Sequence, residues 1–228
     1  MARRLIYGLM DLFFPPKCIF CRKLLRGRER FICDTCKKDL PYTDLAQAVS
    51  PGEYFSKCVS PLLYTGHVVQ SFHRFKFSAQ TNYAGPYGQL MAGCVQQHFD
   101  GGYDLITWVP LSPRRKKKRG YDQAMLLAMA TALELGDVAV ETLRKRGEIP
   151  AQSGLERPAE RKTNVIGAFE VSSPDLVCGK RILLIDDIVT TGATLSECSR
   201  MLLEAGAKDV ICVTLARTIH SRDPAKRG

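Results

Sequence analysis

A chain of 228 residues, 45% hydrophobic and 8% aromatic, can bury a substantial core, as one large domain or as a large and a small one. Its 33 Lys and Arg against 23 Asp and Glu leave a net charge of +10, which suits anionic ligands or partners without separating a small anion from a nucleic acid. No apolar run is long enough to span a bilayer, and nine cysteines, an odd count, do not read as a disulfide framework.

Residues 1–14 superficially mimic a signal peptide, but Asp11 breaks the apolar stretch and no small-residue cleavage site follows. Leu5, Leu9, Leu12 and Phe13 instead form one face of a short helix, which packs on the chain's own core or lies on a membrane surface. Two C-x-x-C pairs come next, Cys18-Ile-Phe-Cys21 and Cys33-Asp-Thr-Cys36, with eleven residues between them. Each folds as a tight knuckle offering two thiolates on one side, and two knuckles complete a tetrahedron. With all four positions filled, Cys18, Cys21, Cys33 and Cys36 predict a closed, structural Zn²⁺ site, an iron–sulfur cluster being the metal alternative. Such cysteines fit a reducing compartment, hence a cytoplasmic protein. Cys58, Cys94, Cys178, Cys198 and Cys212 stand singly and read as small core residues.

The knuckles define an N-terminal module over residues 1–45, followed by a larger domain over 46–228. Residues 41–52 form a polar connector, 54–61 and 62–65 two short β-like segments, and 68–77 and 85–99 helices. Residues 104–110 read as a strand and a turn leading into Pro113-Arg-Arg-Lys-Lys-Lys-Arg-Gly120. A helix over 121–135, ended by Gly136, precedes a strand over 137–143. Residues 148–163, polar and basic with two prolines and no period, predict a mobile loop, and 165–171 a strand.

Arg181-Ile-Leu-Leu-Ile-Asp-Asp-Ile-Val-Thr-Thr-Gly-Ala-Thr194 is the most informative stretch. Residues 181–185 are apolar without alternation, as in a parallel strand covered on both faces. Asp186 and Asp187 fall at its carboxyl end, where open α/β sheets bind ligands; they can accept hydrogen bonds from neighbouring sugar hydroxyls or meet a hard cation through water. Thr190, Thr191, Gly192, Ala193 and Thr194 supply hydroxyls, backbone N–H groups and a glycine before a helix, the requirements of a phosphate cradle. A helix with Leu195, Cys198, Leu202 and Ala205 on one face and a strand over 209–215 follow. Strands alternating with helices imply a mostly parallel sheet flanked by helices.

The string resembles the phosphoribosyl-diphosphate (PRPP) motif of type I phosphoribosyltransferases, two acids before a T-T-G-x-T loop. The resemblance extends to the ComF family of competence-associated proteins of that fold. It rests on Pro15-Pro-Lys-Cys18, Phe75-Lys76-Phe77, Val109-Pro110-Leu111, Arg119-Gly120-Tyr121-Asp122-Gln123, Gln152, Leu155, Arg161, residues 164–169 and the acidic motif. It implies an α/β type I phosphoribosyltransferase fold with an N-terminal four-cysteine zinc module, and Asp186 and Asp187 as catalytic residues on the ribose hydroxyls. Thr190, Thr191, Gly192, Ala193 and Thr194 would hold the 5-phosphate, with Arg119, Lys76 and Arg161 as further PRPP ligands and Mg²⁺ accompanying PRPP. The implied activity is phosphoribosyl transfer to an unidentified acceptor, in DNA uptake or nucleotide salvage. A non-catalytic module that senses PRPP or a nucleotide and assists single-stranded DNA is the alternative, with competence-associated proteins as further partners. One departure stands out: the family pattern has Asn where this chain has Asp122, an acceptor only, which suits a phosphate poorly.

Within the basic run, Lys116 to Lys118 read as solvated surface, whereas Arg119 beside Gly120 is the better phosphate ligand. With residues 144–146, Arg157, Arg161 and Lys162 the run forms a candidate nucleic-acid stripe, but only Tyr121 supplies aromatic interleaving.

Overall fold

The computed structural model of the chain describes residues 15–44, 49–50, 52–99, 101–146 and 165–218. The expected N-terminal helix, the 148–163 loop and Arg161 lie outside them. The elements begin with helix α1 (Asp34–Asp39), strands β1 (Val49–Ser50), β2 (Lys57–Val59) and β3 (Leu62–Leu63), and helices α2 (Gly66–Phe77) and α3 (Ala84–Phe99). Then come β4 (Leu105–Trp108), α4 (Pro113–Arg119), α5 (Gln123–Leu135), β5 (Leu143–Lys145) and β6 (Phe169–Val171). Helix α6 (Pro174–Val177), β7 (Arg181–Val189), α7 (Ala193–Glu204) and β8 (Asp209–Arg217) complete the order.

The main sheet runs β1-β2-β8-β7-β4, with β3 also paired to β8, and every pairing except β1–β2 is parallel. Its two long central strands explain the unbroken apolar runs, because both of their faces are covered. Ile182 and Leu184 join Val210 and Cys212 on one face, beneath α7 and the β5–β6 ribbon. Leu183 and Ile185 join Ile211, Val213 and Leu215 on the other, beneath α2, α3 and α5. Cys18, Ile19 and Phe20 of the first knuckle are buried in this second core, against Phe75 and Tyr87.

Helices α3 and α5 approach closely because Gly88 has no side chain. A Cβ there would stand 2.6 Å from Ala130 Cβ and 2.7 Å from its carbonyl carbon. Gly88→Ala should therefore lower stability by about 1–3 kcal/mol in urea unfolding, despite alanine's better helix propensity. An unchanged midpoint would show that the helices can simply part.

Five expectations change. Pro113–Arg119, which the sequence reading leaves as a basic run without secondary structure, is a helix: Ser112 Oγ accepts the Arg115 N–H (3.4 Å), proline occupies the first turn, and Gly120 (φ 81°) closes the end. Lys116, Lys117, Lys118 and Arg119 lie in its last turn, at the negative end of the dipole. The strand expected over 137–143 is one bridge, Ala139 to Ile106. Thr142 then bonds Thr107 through their hydroxyls (2.8 Å) and accepts the Ser172 N–H (2.8 Å), which draws the chain into the β5–β6 ribbon. Within 165–171 only Phe169–Val171 is strand, after a turn at Gly167 (φ 74°). Strand β7 continues past the acids to Val189, paired with β8 as far as Arg217. Among the single cysteines, Cys178 is exposed at the end of α6 while the other four are buried.

Candidate functional site

Asp186 and Asp187 sit in the second half of β7, both half-buried, and as neighbours in an extended strand they project to opposite faces. Each carboxylate accepts a backbone N–H one residue on: Asp187 N–H to Asp186 (2.7 Å) and Ile188 N–H to Asp187 (2.6 Å). Burial pushes Asp186 well above the usual carboxylate range, and the charge of Asp187 adds to this. Burial also raises Asp187, against the opposing charges of Lys76 and Arg119. Burial and mutual repulsion therefore disfavour the doubly ionised form of the pair, and two cations partly offset this.

Those cations come from different elements. Lys76 lies in the last turn of α2, its Nζ 5.6 Å from the Phe72 ring centre and 5.8 Å from that of Phe77. Arg119 ends α4; its guanidinium is 5.4 Å from the Phe77 ring and donates to Gln123 Oε1 (2.8 Å). Tyr121 donates its hydroxyl to the Phe75 carbonyl, tying α2 to the start of α5. Arg114 to Lys118 are exposed whereas Arg119 is half-buried, the division expected within the run.

Beyond β7, Thr190 and Thr191 are exposed, and Gly192 (φ 75°) turns the chain into α7, its carbonyl accepting the Ser196 N–H (2.8 Å). Thr191 Oγ1 accepts the Ala193 N–H (3.4 Å). This places Thr190, Thr191, Gly192, Ala193 and Thr194 around a helix N-terminus, the geometry of an anion cradle. A cavity of about 720 Å³ opens beside it, lined in part by Tyr54, Phe55, Val165 and Arg200, but the acids lie outside it.

Three structural partners were not apparent in sequence. Asp122, 4% exposed, caps α5: Oδ1 accepts the Met125 N–H (3.3 Å) and Oδ2 the Leu111 N–H (2.9 Å). Both oxygens act as acceptors, so aspartate fits where an asparagine amide would offer one oxygen. Its place just before a helical run was the readable signal. Asp122→Ala should cost about 1–2 kcal/mol in denaturant unfolding, with Asp122→Asn intermediate. Glu197 accepts the Gly167 N–H (2.7 Å) and pairs with Arg200 (2.7 Å), fixing residues 165–167 on α7. Half-buried Tyr64 faces Asp187, whose charge adds to burial in raising its phenol.

In the N-terminal module, the four knuckle sulfurs lie within 4.8 Å of one another. Tetrahedral zinc, with Zn–S of about 2.3 Å, sets ligand sulfurs about 3.8 Å apart; Cys21 and Cys33 are 3.6 Å apart here. The Cys33 N–H points at Cys18 Sγ (3.5 Å). Burial pushes the Cys18 thiol up, but backbone N–H groups of Cys33, Cys21 and Phe20 together outweigh it and bring it down to about 7. Burial raises the Cys33 and Cys36 thiols, so these two need a cation to stand as thiolates, and a four-sulfur cluster of this size fits zinc.

Two family models match the chain: a phosphoribosyl transferase domain over residues 122–227 and a double zinc ribbon domain over 9–47. The second supports structural zinc at the four cysteines. The chain is 28% identical to Competence protein F of Haemophilus influenzae, over 90% of this chain and 98% of that one. It is 29% identical to Competence protein ComFC of Streptococcus pneumoniae, over 88% and 100%. With the DNA utilization protein YhgH of Salmonella typhimurium it shares 28% identity over 89% and 90%. Among solved structures, a Bacillus subtilis glutamine PRPP amidotransferase is 24% identical over 58% of this chain and 26% of that one, with a TM-score of 0.40. An adenine phosphoribosyltransferase is 16% identical over 65% and 75%, also with a TM-score of 0.40.

Proposed function

We propose that this chain, with its type I phosphoribosyltransferase fold and N-terminal zinc ribbon, is a member of the ComF family that binds PRPP with Mg²⁺ and transfers its phosphoribosyl group. The observation that carries the reading is the convergence of Lys76 and Arg119 on Asp187, at the end of the strand that leads into the helix start at residues 190–194.

Ionised Asp186 and Asp187 accept hydrogen bonds from the ribose 2- and 3-hydroxyls, and Thr190, Thr191, Gly192, Ala193 and Thr194 hold the 5-phosphate. Arg119 and Lys76 face the diphosphate and offset the charge it gains as its bond to C1 breaks. The acceptor nitrogen forms the new bond to C1 as the bond to diphosphate breaks, and its proton passes to solvent water. Magnesium supplies charge neutralisation on the leaving diphosphate, and the all-oxygen donors of the acid pair suit a hard cation. Arg161 belongs to the same proposed set. The division into a 1–45 module and a 46–228 domain, and a cytoplasmic location, form part of this reading.

Pyrophosphate release from PRPP across a panel of nucleobases and amines tests it. Turnover with one acceptor supports transfer, whereas PRPP binding without turnover on any favours a sensing module. The exposed cations of α4 favour an accompanying DNA contact in that second reading. Its signature is salt-dependent single-strand binding that survives loss of the acids but falls when Arg114 to Lys118 are neutralised.

A further inference from the structure

Gln123, the first residue of α5, is 1% exposed. Glutamine is mostly a surface residue, and a buried side-chain amide needs partners for its oxygen and for both of its N–H groups. Among the described residues this amide makes one well-formed bond. Its Oε1 accepts from Arg119 Nη1 (2.8 Å), while Nε2 is buried without a partner. Beside it, burial raises the Tyr121 phenol and the Gln123 amide acts against that rise. An apolar side chain of the same length would leave no donor unpaired, so packing alone does not account for glutamine at this position.

The local geometry says what the amide holds. Arg119 ends α4, Gln123 begins α5, and Gly120 (φ 81°) turns the chain between them so that the two side chains meet. The amide oxygen must face the guanidinium, because the amide nitrogen is a donor like every nitrogen of arginine. The guanidinium also lies 5.4 Å from the Phe77 ring centre, and Tyr121 fastens the same corner to α2 through the Phe75 carbonyl. A long side chain is gripped here before any ligand arrives, half-buried and within the field of Asp187. Holding it in advance removes the need to order its rotamers on binding.

We propose that Gln123 is a positioning residue: through its amide oxygen it aims the Arg119 guanidinium at the diphosphate of PRPP, touching no ligand itself. This rests on the phosphoribosyl reading above and deepens it, because the grip on the diphosphate then depends on a buried residue behind the arginine.

The test is calorimetric titration of Mg·PRPP and of ribose 5-phosphate, which lacks the diphosphate, into wild type, Gln123→Met, Arg119→Ala and the double variant. Gln123→Met keeps the length of the side chain and removes the acceptor. It should weaken PRPP roughly tenfold, leave ribose 5-phosphate unchanged and not lower the melting temperature. Arg119→Ala should weaken PRPP at least as much. The double variant should lose no more than Arg119→Ala alone, since without the arginine the amide has nothing to aim. Should Gln123→Met not fold, Gln123→Asn, whose amide falls short of the guanidinium, takes its place with the same expected split between the two ligands. Wild-type PRPP affinity in the Gln123 variant overturns the assignment. So do additive losses in the double variant, or an equal loss of both ligands, which marks a structural role. Should wild type bind neither PRPP nor ribose 5-phosphate, the phosphoribosyl reading fails and the positioning role falls with it. PRPP binding that Arg119→Ala weakens and Gln123→Met does not sinks the positioning role alone.

Discussion

Asp187→Asn is expected to make the protein more stable at pH 7 and a weaker binder of Mg·PRPP. The two effects share one cause. Burial raises the Asp187 carboxyl above its ordinary value, and Asp186 is raised further by burial and by its charged neighbour. A carboxyl raised in the folded state holds its proton more tightly folded than unfolded, so stability falls as pH climbs from the usual carboxylate range through the raised value. Removing the charge of Asp187 removes its share of that loss and lowers Asp186 toward normal. The denaturation midpoint of the variant should exceed that of wild type near neutrality, and the two should converge at acid pH. Binding runs the opposite way, because sugar hydroxyls need ionised acceptors: wild-type affinity should drop as pH falls through the raised values. Loss of a charged acceptor should weaken Mg·PRPP roughly tenfold to a hundredfold. A variant that is less stable at pH 7, or that binds as wild type does, would show that the acids are not the charged, desolvated pair described.

Removal of zinc, by chelation or by Cys36→Ser, should affect both folding and the sugar-phosphate site. Arg74 of α2 donates to the carbonyls of Ile19 (2.8 Å) and Phe20 (2.7 Å), and Ser71 to Ile19 (2.6 Å), all within the first knuckle. Two residues beyond Arg74, the same helix carries Lys76, whose charge acts on both acids. A structural zinc contributes on the order of 10 kcal/mol to small ribbon folds. Its loss should therefore free the knuckle, leave the Arg74 guanidinium without its carbonyl partners and loosen the end of α2. The expected readouts are a large fall in melting temperature and weaker PRPP affinity in any metal-free protein that stays folded. Retention of full PRPP affinity in folded, zinc-free protein would refute the coupling through α2.

The residues that carry the chemistry are legible because their pattern is local. The run 181–194 encodes strand, acids, cradle and helix start within one stretch, and the knuckles encode their metal by spacing. Lys76 and Arg119 can be named from the family pattern, but their convergence on Asp187 depends on the ends of α2 and α4 meeting, where Arg119 lies over the Phe77 ring. Residues 113–119 mislead because like charges suggest solvated coil. The caps at Ser112 and Gly120 nevertheless carry the helix signal, which outweighs repulsion among exposed, screened side chains. Asp122 looks like a flawed phosphate ligand in sequence because its partners, the Leu111 and Met125 N–H groups, exist only once α5 is formed.

Strand β8 pairs with β2, β3 and β7, so the middle of the sheet comes from the last described strand in the sequence. During synthesis, β2 and β3 must wait through some 150 residues for the partner that completes them, measured from Lys57 and its match Ile211. Such long-range parallel pairing slows folding and leaves apolar strand edges open meanwhile. A chain truncated after α7 would not lose one edge strand; it would be left with two sheet fragments and nothing between them.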